Sequence, residues 1–232
     1  MMTAETFDAI YARAAERKGG GAQLEQLLSA PLNTTQLAQM ADDRFLAEFT
    51  KKVFQSGFVW RVVEQKWPAF EQCFFGFDIA KVLLMPDEML EKKAGNPEII
   101  RNFTKVKSIR DNALMIDAVR SEQGSFAQFV ADWPEDNIIG LWQYLKKNGA
   151  RLGGNTGPYA LRALGKDTFL LSKDVEGYFK ARDLISGLST SKKSLNAFQE
   201  TFNQWRAESG RSLQEISKVV SMSVGDNHIG VQ

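Results

Sequence analysis

The sequence predicts an all-α protein, and three observations support this class. Apolar residues recur at helical spacing through nearly every segment, as in DDRFLAEFTKKVFQ and SLNAFQETFNQWRAE. Alternating strand patterns are scarce, and the periodic segments are separated by short turns rich in Gly, Pro or Asn. With 232 residues, 44% of them hydrophobic, the chain is long enough to bury a sizeable core. We therefore expect a single all-helical unit over residues 1–232, made of two closely packed helical lobes.

The position of each helix follows from this periodicity and from its end signals. Asp78, Ser172 and Ser212 are predicted N-caps, because short polar side chains accept hydrogen bonds from the free amides of a first helical turn. Residues 18–21 and 31–35 are predicted to be breaks, and the C-terminal SMSVGDNHIGVQ is predicted to be a frayed tail because it lacks periodicity. The predicted helices are 5–17, 42–55, 59–72, 78–83, 86–93, 97–119, 124–131, 135–148, 156–164, 173–182, 194–208 and 211–222.

Composition excludes several classes of protein. No apolar run approaches the roughly 18 residues that a membrane span needs, so we expect no membrane segment. The N-terminus lacks the apolar stretch of a secretory signal, which favours a cytoplasmic protein. Cys73 and His228 are the only cysteine and histidine, which rules out an internal disulfide and argues against a Cys/His zinc site. We expect no metal and no cofactor.

Positive charge is concentrated in one part of the chain. Residues 146–193 contain ten basic and four acidic side chains, a net charge of +6, whereas the whole chain carries only +1. This distribution is typical of a protein with one face for an anionic partner such as DNA. It is equally compatible with lysines that only solubilise exposed helices.

The stretch NGARLGGNTGPYALRAL predicts a helix–hairpin–helix (residues 144–164). Gly153 and Gly154 allow positive φ and close approach of the backbone to a partner, and Thr156 begins the second helix. Amides at that helix start suit a DNA phosphate, although a Gly-Gly turn alone also occurs in helical proteins that bind no DNA. The residues predicted to contact DNA are Lys146, Lys147, Arg151, Gly153, Gly154, Asn155, Thr156 and Lys173.

Asp174 follows the apolar run Phe169-Leu170-Leu171, at or near the start of another helix. A structural interpretation makes it a helix cap. A functional interpretation uses the helix dipole to keep the carboxylate ionised, so that it stabilises a positively charged sugar in a transition state. Spacing alone does not decide between them.

The segment GGNTGPYALRALGKDTFLLSKDV resembles the hairpin and the Asp-bearing turn of the helix–hairpin–helix DNA glycosylase superfamily. A second segment, QSGFVWRVVEQKWPAFEQCFFGFDIAKVLLM followed by IIRNFTKVKSIRDNA, closely resembles 3-methyladenine DNA glycosylase I. Together the two matches cover about residues 43–182. The resemblance implies a helix–hairpin–helix glycosylase fold, in which helices of residues 5–42 and 190–222 pack as the second lobe.

The resemblance also implies a mechanism. Such enzymes rotate a damaged nucleotide out of double-stranded DNA, stack its base among aromatic side chains, and hydrolyse the N-glycosidic bond. Asp174 then corresponds to the catalytic aspartate of the superfamily. Trp60 corresponds to the aromatic residue against the extruded base. Phe54, Phe58 and Tyr159 are its expected neighbours, but each of these four aromatic residues is also compatible with core packing.

Three positions depart from the family pattern. Asn155 stands where superfamily lyases carry a nucleophilic lysine, so we expect a monofunctional enzyme that leaves the strand uncut. The family's zinc-binding Cys and His residues are missing. Lys52 aligns with the glutamate that reads the cationic base, so either Lys52 points elsewhere and Glu48 serves instead, or the lesion differs.

The leading hypothesis is therefore a monofunctional, zinc-free DNA glycosylase for alkylated purines in base excision repair, acting as a monomer. One alternative is a helix–hairpin–helix protein that binds DNA without catalysis, and another is a glycosylase for a different lesion. A helical interaction module unrelated to DNA is a further alternative.

Overall fold

The computed structural model describes residues 4–225, which form fourteen α-helices and contain no strand. The predicted all-α class is therefore confirmed for this part of the chain. No helix within it is both long enough and apolar enough to cross a membrane. The helices are α1 (Phe7–Arg17), α2 (Gly21–Gln26), α3 (Thr34–Ala38), α4 (Asp42–Gln55), α5 (Trp60–Cys73), α6 (Ile79–Leu83), α7 (Asp87–Ala94), α8 (Phe103–Gln123), α9 (Phe126–Asp132), α10 (Ile138–Asn148), α11 (Thr156–Ala163), α12 (Lys173–Ala181), α13 (Lys192–Ser209) and α14 (Leu213–Met222).

The helix starts follow the capping residues closely. Asp78, Ser172 and Ser212 each accept a hydrogen bond from a backbone amide of the first turn, so these three predicted caps are confirmed. Helix α8 begins at Phe103 and not at residue 97, because the side chain of Asn102 caps it. The cap therefore overrides the apolar periodicity that continues upstream.

Two short helices were not predicted. Helix α2 begins where the Lys-Gly-Gly-Gly turn ends, and α3 begins within the predicted break at 31–35 and continues to Ala38. Asn33 forms a capping box with Gln36, in which each side chain bonds the other residue's backbone amide. At the other end of the chain, α14 includes Ser221 and Met222 of the predicted tail, whereas residues 226–232, including His228, lie outside the described residues.

The described chain divides into two compact units. The first contains residues 4–32, 134–139 and 167–225, and so includes α1, α2, α12, α13 and α14. Its core is aromatic, with the rings of Phe169 and Phe202 stacked at a centroid distance of 4.1 Å. These helices bury apolar faces that none of them could bury alone.

The second unit contains residues 33–133 and 140–166. Helices α4 and α8 pack together at its centre, and α4 also contacts α5 and α11. Phe45, Phe49 and Phe126 meet edge to face where α4 and α9 approach each other. Helix α4 thus connects α8, α5 and α11 within this unit.

Each unit contains an aspartate that caps a helix from outside that helix. Asp42 accepts hydrogen bonds from the amides of Phe126 and Ala127 at 3.1 and 2.8 Å, at the start of α9. Asp167 accepts from the first two amides of α14 at 3.0 and 2.9 Å. Burial raises the pKa of Asp167, while the two amide hydrogen bonds act in the opposite direction. These two carboxylates accept hydrogen bonds from backbone amides at helix starts, which have no partner within the helix. The sequence patterns predict neither of these roles.

Candidate functional site

An exposed aromatic surface lies at the start of α5. Phe58, Val59 and Trp60 have exposed fractions of 37%, 67% and 55%, and we call these three residues the aromatic shelf. Gly57 before them has a φ of 93°, which turns the chain sharply after α4. The ring of Tyr159 on α11 meets Trp60 edge to face, with a centroid distance of 6.5 Å. The shelf therefore offers a flat apolar surface on which a nucleobase can stack.

Phe54 occupies a different environment from the shelf. Its side chain is fully buried and packs edge to face on Phe70 at 4.7 Å. The resemblance adds Phe54 to the base site, whereas its contacts are those of a core residue that supports the end of α4.

Lys52 lies next to Trp60, and Glu48 lies next to Lys52. The Lys52 ammonium is 3.1 Å from Glu48 Oε1, donates to Gln55 Oε1 at 3.0 Å, and lies 5.5 Å from the Trp60 ring centre. Gln55 in turn donates from Nε2 to Glu64 at 3.0 Å. The Lys52 and Glu48 side chains are only 15% and 20% exposed, so their ion pair is partly desolvated. Of the two residues considered for base reading, Lys52 is thus adjacent to the shelf and Glu48 is bound to Lys52.

Lys105 supports the shelf from α8. Its ammonium donates to the carbonyl oxygens of Val53 at 2.8 Å and Ser56 at 2.5 Å, and lies 4.6 Å from the Phe58 ring centre. These carbonyls belong to the end of α4, where backbone acceptors have no partner within the helix. Burial lowers the pKa of Lys105, and the nearby charge of Arg151 acts in the same direction. Lys105 therefore caps α4 and holds the chain that leads into the shelf.

The hairpin turn, residues 149–155, joins α10 to α11. Gly154 has a φ of 60°, and an added Cβ there would meet nothing within 4 Å, so its backbone faces open space. Arg151, with a φ of 62°, takes the other positive φ in this turn, whereas Gly153 packs close to the Lys146 side chain. Thr156 begins α11, as predicted. The exposed residues among those predicted to contact DNA are Lys146, Lys147, Arg151, Gly154, Asn155 and Lys173, whereas Gly153 and Thr156 are half-buried.

Asn112 holds the hairpin turn in place. Its fully buried side chain donates to the carbonyl of Ala150 at 3.1 Å and accepts from the Ala150 amide at 2.7 Å. Gly149 and Gly157 are needed for packing, because an added Cβ would lie within 2.8 Å of a backbone carbonyl at either position. Asn112 is two turns after Lys105 on α8. One helix face therefore positions both the shelf and the hairpin turn.

Asp174 lies in the first turn of α12, behind the cap Ser172. It is half-buried, and the hydroxyl of Ser221 on α14 donates to its Oδ2 at 3.1 Å. The Ser172 side chain, and not that of Asp174, accepts from the Val175 amide. Since the cap position is occupied by Ser172, the Asp174 carboxylate lies near the positive end of the helix dipole without being the cap residue.

A charged cluster anchors α12 within its unit. Glu5 binds both terminal nitrogens of Arg13 at 2.6 and 3.0 Å and accepts from the Tyr178 hydroxyl at 2.9 Å and from Arg182 Nε at 3.2 Å. Hydrogen bonding to Arg13 lowers the pKa of Glu5 to about 2. Burial raises the pKa of Tyr178, and its hydrogen bond to Glu5 adds to this shift. Sequence analysis missed this cluster because its members are distant in the chain.

The residues present do not fit the zinc site of the resembling family. Cys73 is half-buried, with its Sγ 3.9 Å from the Lys93 ammonium. Within residues 4–225, no cluster of three or more His, Cys, Asp or Glu side chains could hold a metal ion.

Gly154→Ala is expected to weaken binding of duplex DNA about tenfold, equivalent to about 1.4 kcal/mol, because a side chain would project where the backbone approaches a phosphate. The matched control is Gly210→Ala, since Gly210 also has a positive φ, 68°, and open space around an added Cβ. Both substitutions carry a similar backbone strain of about 1 kcal/mol. Fluorescence anisotropy at low salt and thermal unfolding measure the two effects separately. Equal affinities for the two variants would mean that the hairpin turn does not approach DNA.

Comparison with known proteins places these features in context. The family described as Methyladenine glycosylase matches residues 37–161, which is more than half of the chain. The matched range contains the shelf, Lys52, Lys105 and the hairpin turn, and it ends before Asp174.

Several solved structures are similar to this chain. A 3-methyladenine DNA glycosylase I is 27% identical over 55% of this chain and 80% of its own, with a TM-score of 0.48. A 3-methyladenine DNA glycosylase I from Staphylococcus aureus is 22% identical over 54% and 77%, with a TM-score of 0.49. The 8-oxoguanine DNA glycosylase of Methanocaldococcus jannaschii is 12% identical over 91% and 92%, with a TM-score of 0.54, a likeness of fold.

Proposed function

The chain belongs to the methyladenine glycosylase family and is a DNA glycosylase of base excision repair, and from this premise we propose how its residues excise an alkylated purine. The match over residues 37–161 carries this assignment. Within that range, α8 supports both a stacking surface and a hairpin turn, the two features that a base-extruding enzyme requires.

We propose that the hairpin turn binds the DNA backbone while the shelf receives the extruded base. Backbone amides at the start of α11 face a phosphate, and Lys146, Lys147 and Arg151 add positive charge around it. Trp60 stacks on the base, and the ring of Tyr159 supports the indole ring through an edge-to-face contact. Phosphate contacts fix the register of the enzyme on DNA, and the shelf selects the nucleotide that leaves the duplex.

The chemical step then breaks the bond between C1′ of the sugar and a nitrogen of the base. The electron pair of this bond leaves with the base. We propose that Asp174 stabilises the positive charge that develops on the sugar, because its carboxylate lies in the first turn of α12 and carboxylates stabilise cationic transition states electrostatically. Ser221 orients this carboxylate through its hydroxyl hydrogen bond. Water adds its oxygen to C1′ and releases one proton, which leaves an abasic site.

The enzyme is monofunctional. Asn155 stands at the position where lyases of this superfamily carry a lysine, and an amide cannot form a Schiff base with the sugar. The partner is double-stranded DNA with a damaged base. We further propose that the protein works as a monomer in the cytoplasm. It works without zinc, since the proposed chemistry requires one carboxylate and water.

Base release from damaged duplex DNA tests this proposal. Duplexes carrying methylated or etheno-bridged purines are incubated with the enzyme, freed bases are resolved by chromatography, and strands are run on a denaturing gel with and without alkali. We expect at least one free alkylated purine and strand breaks only after alkali. Breaks without alkali would indicate a lyase, and DNA binding without release of any base would indicate a non-catalytic DNA-binding protein.

A further inference from the structure

The Lys52 ammonium fills a position that is built for a cation. A carboxylate oxygen of Glu48 at 3.1 Å, an amide oxygen of Gln55 at 3.0 Å and the indole face of Trp60 at 5.5 Å all surround it. Each of these three groups attracts positive charge. Since the Lys52 side chain is only 15% exposed, the surrounding protein, and not water, supplies most of its neighbours. The place next to Trp60 that would suit a cationic base is thus already occupied by the protein's own charge.

This occupancy has opposite consequences for the two chemical classes of alkylated purine. A purine that carries a fixed positive charge, such as a base methylated at N3 or N7, would stack within a few ångströms of the ammonium and be repelled by it. A neutral alkylated purine meets no such repulsion, and its ring nitrogens or oxygen can accept from an N–H of Lys52. An ammonium has three such donors, and Glu48 and Gln55 take two of them.

The chemistry of base departure favours the same class. When the C1′–N bond breaks, its electron pair goes to the base, so a neutral purine leaves as an anion and takes up one proton. The water that adds to C1′ releases one proton, which balances the reaction. An ammonium at the base stabilises the negative charge that develops in this transition state. A cationic purine leaves as a neutral molecule and gains nothing from it.

We infer that Lys52 is a specificity-determining residue that directs this enzyme to electrically neutral alkylated purines in preference to cationic ones. The inference rests on the proposed function, because it requires Trp60 to be the surface that receives the base. Glu48 has a defined part in it, because its carboxylate holds the Lys52 ammonium in place beside Trp60.

The test compares release of neutral and cationic bases by the wild type and by Lys52→Met, which keeps an unbranched side chain and removes the charge. The neutral substrates are duplexes with 1,N6-ethenoadenine or O6-methylguanine. The cationic substrate is dimethyl sulfate-treated duplex DNA, which carries 7-methylguanine and 3-methyladenine. We expect the wild type to release at least one neutral base ten times faster than either cationic base. In Lys52→Met this ratio should fall at least tenfold, because Glu48 is then available to a cation.

Lys51→Met is the matched control. Lys51 is the preceding residue on α4, pairs with Glu64 at 2.8 Å, and lies 5.2 Å from the ring centre of Trp67, so it has the same kinds of contact with a different indole ring. Its substitution should leave the ratio of neutral to cationic release unchanged. Lys52→Gln provides a second variant with a polar side chain, and we expect a shift in the same direction.

Three results would overturn the inference, and they are distinguishable. If the wild type releases cationic bases faster and Lys52→Met does not change the ratio, the inference fails while the glycosylase stands. If the wild type binds duplex DNA but releases no base of either class, the proposed function fails as well. A ratio that shifts equally in Lys51→Met would show a general effect of charge on α4 and would also contradict a specific role of Lys52.

Discussion

The Asp174→Asn variant is expected to release bases about 10²–10³-fold more slowly than the wild type, because it removes the negative charge opposite the developing sugar cation. The substitution preserves the shape of the side chain and an oxygen that can accept from the Ser221 hydroxyl. In the wild type this hydroxyl lies 3.1 Å from Asp174 Oδ2. Affinity for duplex DNA should change little, since the charge is proposed to act in the transition state. Single-turnover base release and fluorescence anisotropy with the same duplex measure the two quantities.

Glu176→Gln is the control for this experiment. Glu176 lies in the first turn of the same helix and also accepts from a hydroxyl, that of Ser189 at 2.7 Å. We expect its rate of base release to stay near that of the wild type. An undiminished rate in Asp174→Asn would restrict Asp174 to a structural role in α12. An equal loss in both variants would point to the overall charge of the helix start.

Replacing Lys105 by Met is expected to destabilise the protein by roughly 2–3 kcal/mol, since it leaves buried carbonyl oxygens at the end of α4 without a donor. In the wild type the Lys105 ammonium donates to the carbonyl oxygens of Val53 and Ser56 and lies against the ring of Phe58. Base release should fall as well, because the chain leading into Trp60 loses its anchor. Urea unfolding gives the stability change, and single-turnover base release gives the effect on the shelf.

Lys107→Met controls for the loss of a positive charge from α8. Lys107 is half exposed and forms an ion pair with Asp111 one turn later at 3.1 Å, so its loss should change stability by less than about 0.5 kcal/mol. If Lys105→Met were as stable as Lys107→Met, water would satisfy the end of α4 and Lys105 would not support the shelf.

The helices could be predicted where the signal is local. Apolar periodicity and the caps Asp78, Ser172 and Ser212 located most helices within a few residues, because these hydrogen bonds join positions about three residues apart. The errors arose where local signals compete. The Pro- and Asn-containing stretch at 31–35 predicts a break where the capping box of α3 starts a helix, and apolar periodicity predicts that α8 extends back past its cap.

The candidate site likewise has features that local sequence predicts and features that depend on distant residues. The segment KVKSIRDNA carries part of the resemblance to 3-methyladenine DNA glycosylase I. Its spacing puts Lys105 and Asn112 on one face of a helix. The backbone groups that these two side chains bind could not be predicted from the segment. Lys105 binds a carbonyl 52 residues away, and Asn112 binds one 38 residues away.

By itself the sequence determined the all-α class, the helix–hairpin–helix, the lack of a Cys and His set for zinc and the asparagine at the lyase position, because each depends on residue identity or short-range spacing. Only the tertiary structure decided that Phe54 is buried, that Trp60 is exposed, and that Lys52 lies between Glu48 and the indole ring. Burial and charge environment are sums over neighbours from several helices, so the packing of those helices sets them and no single segment encodes them.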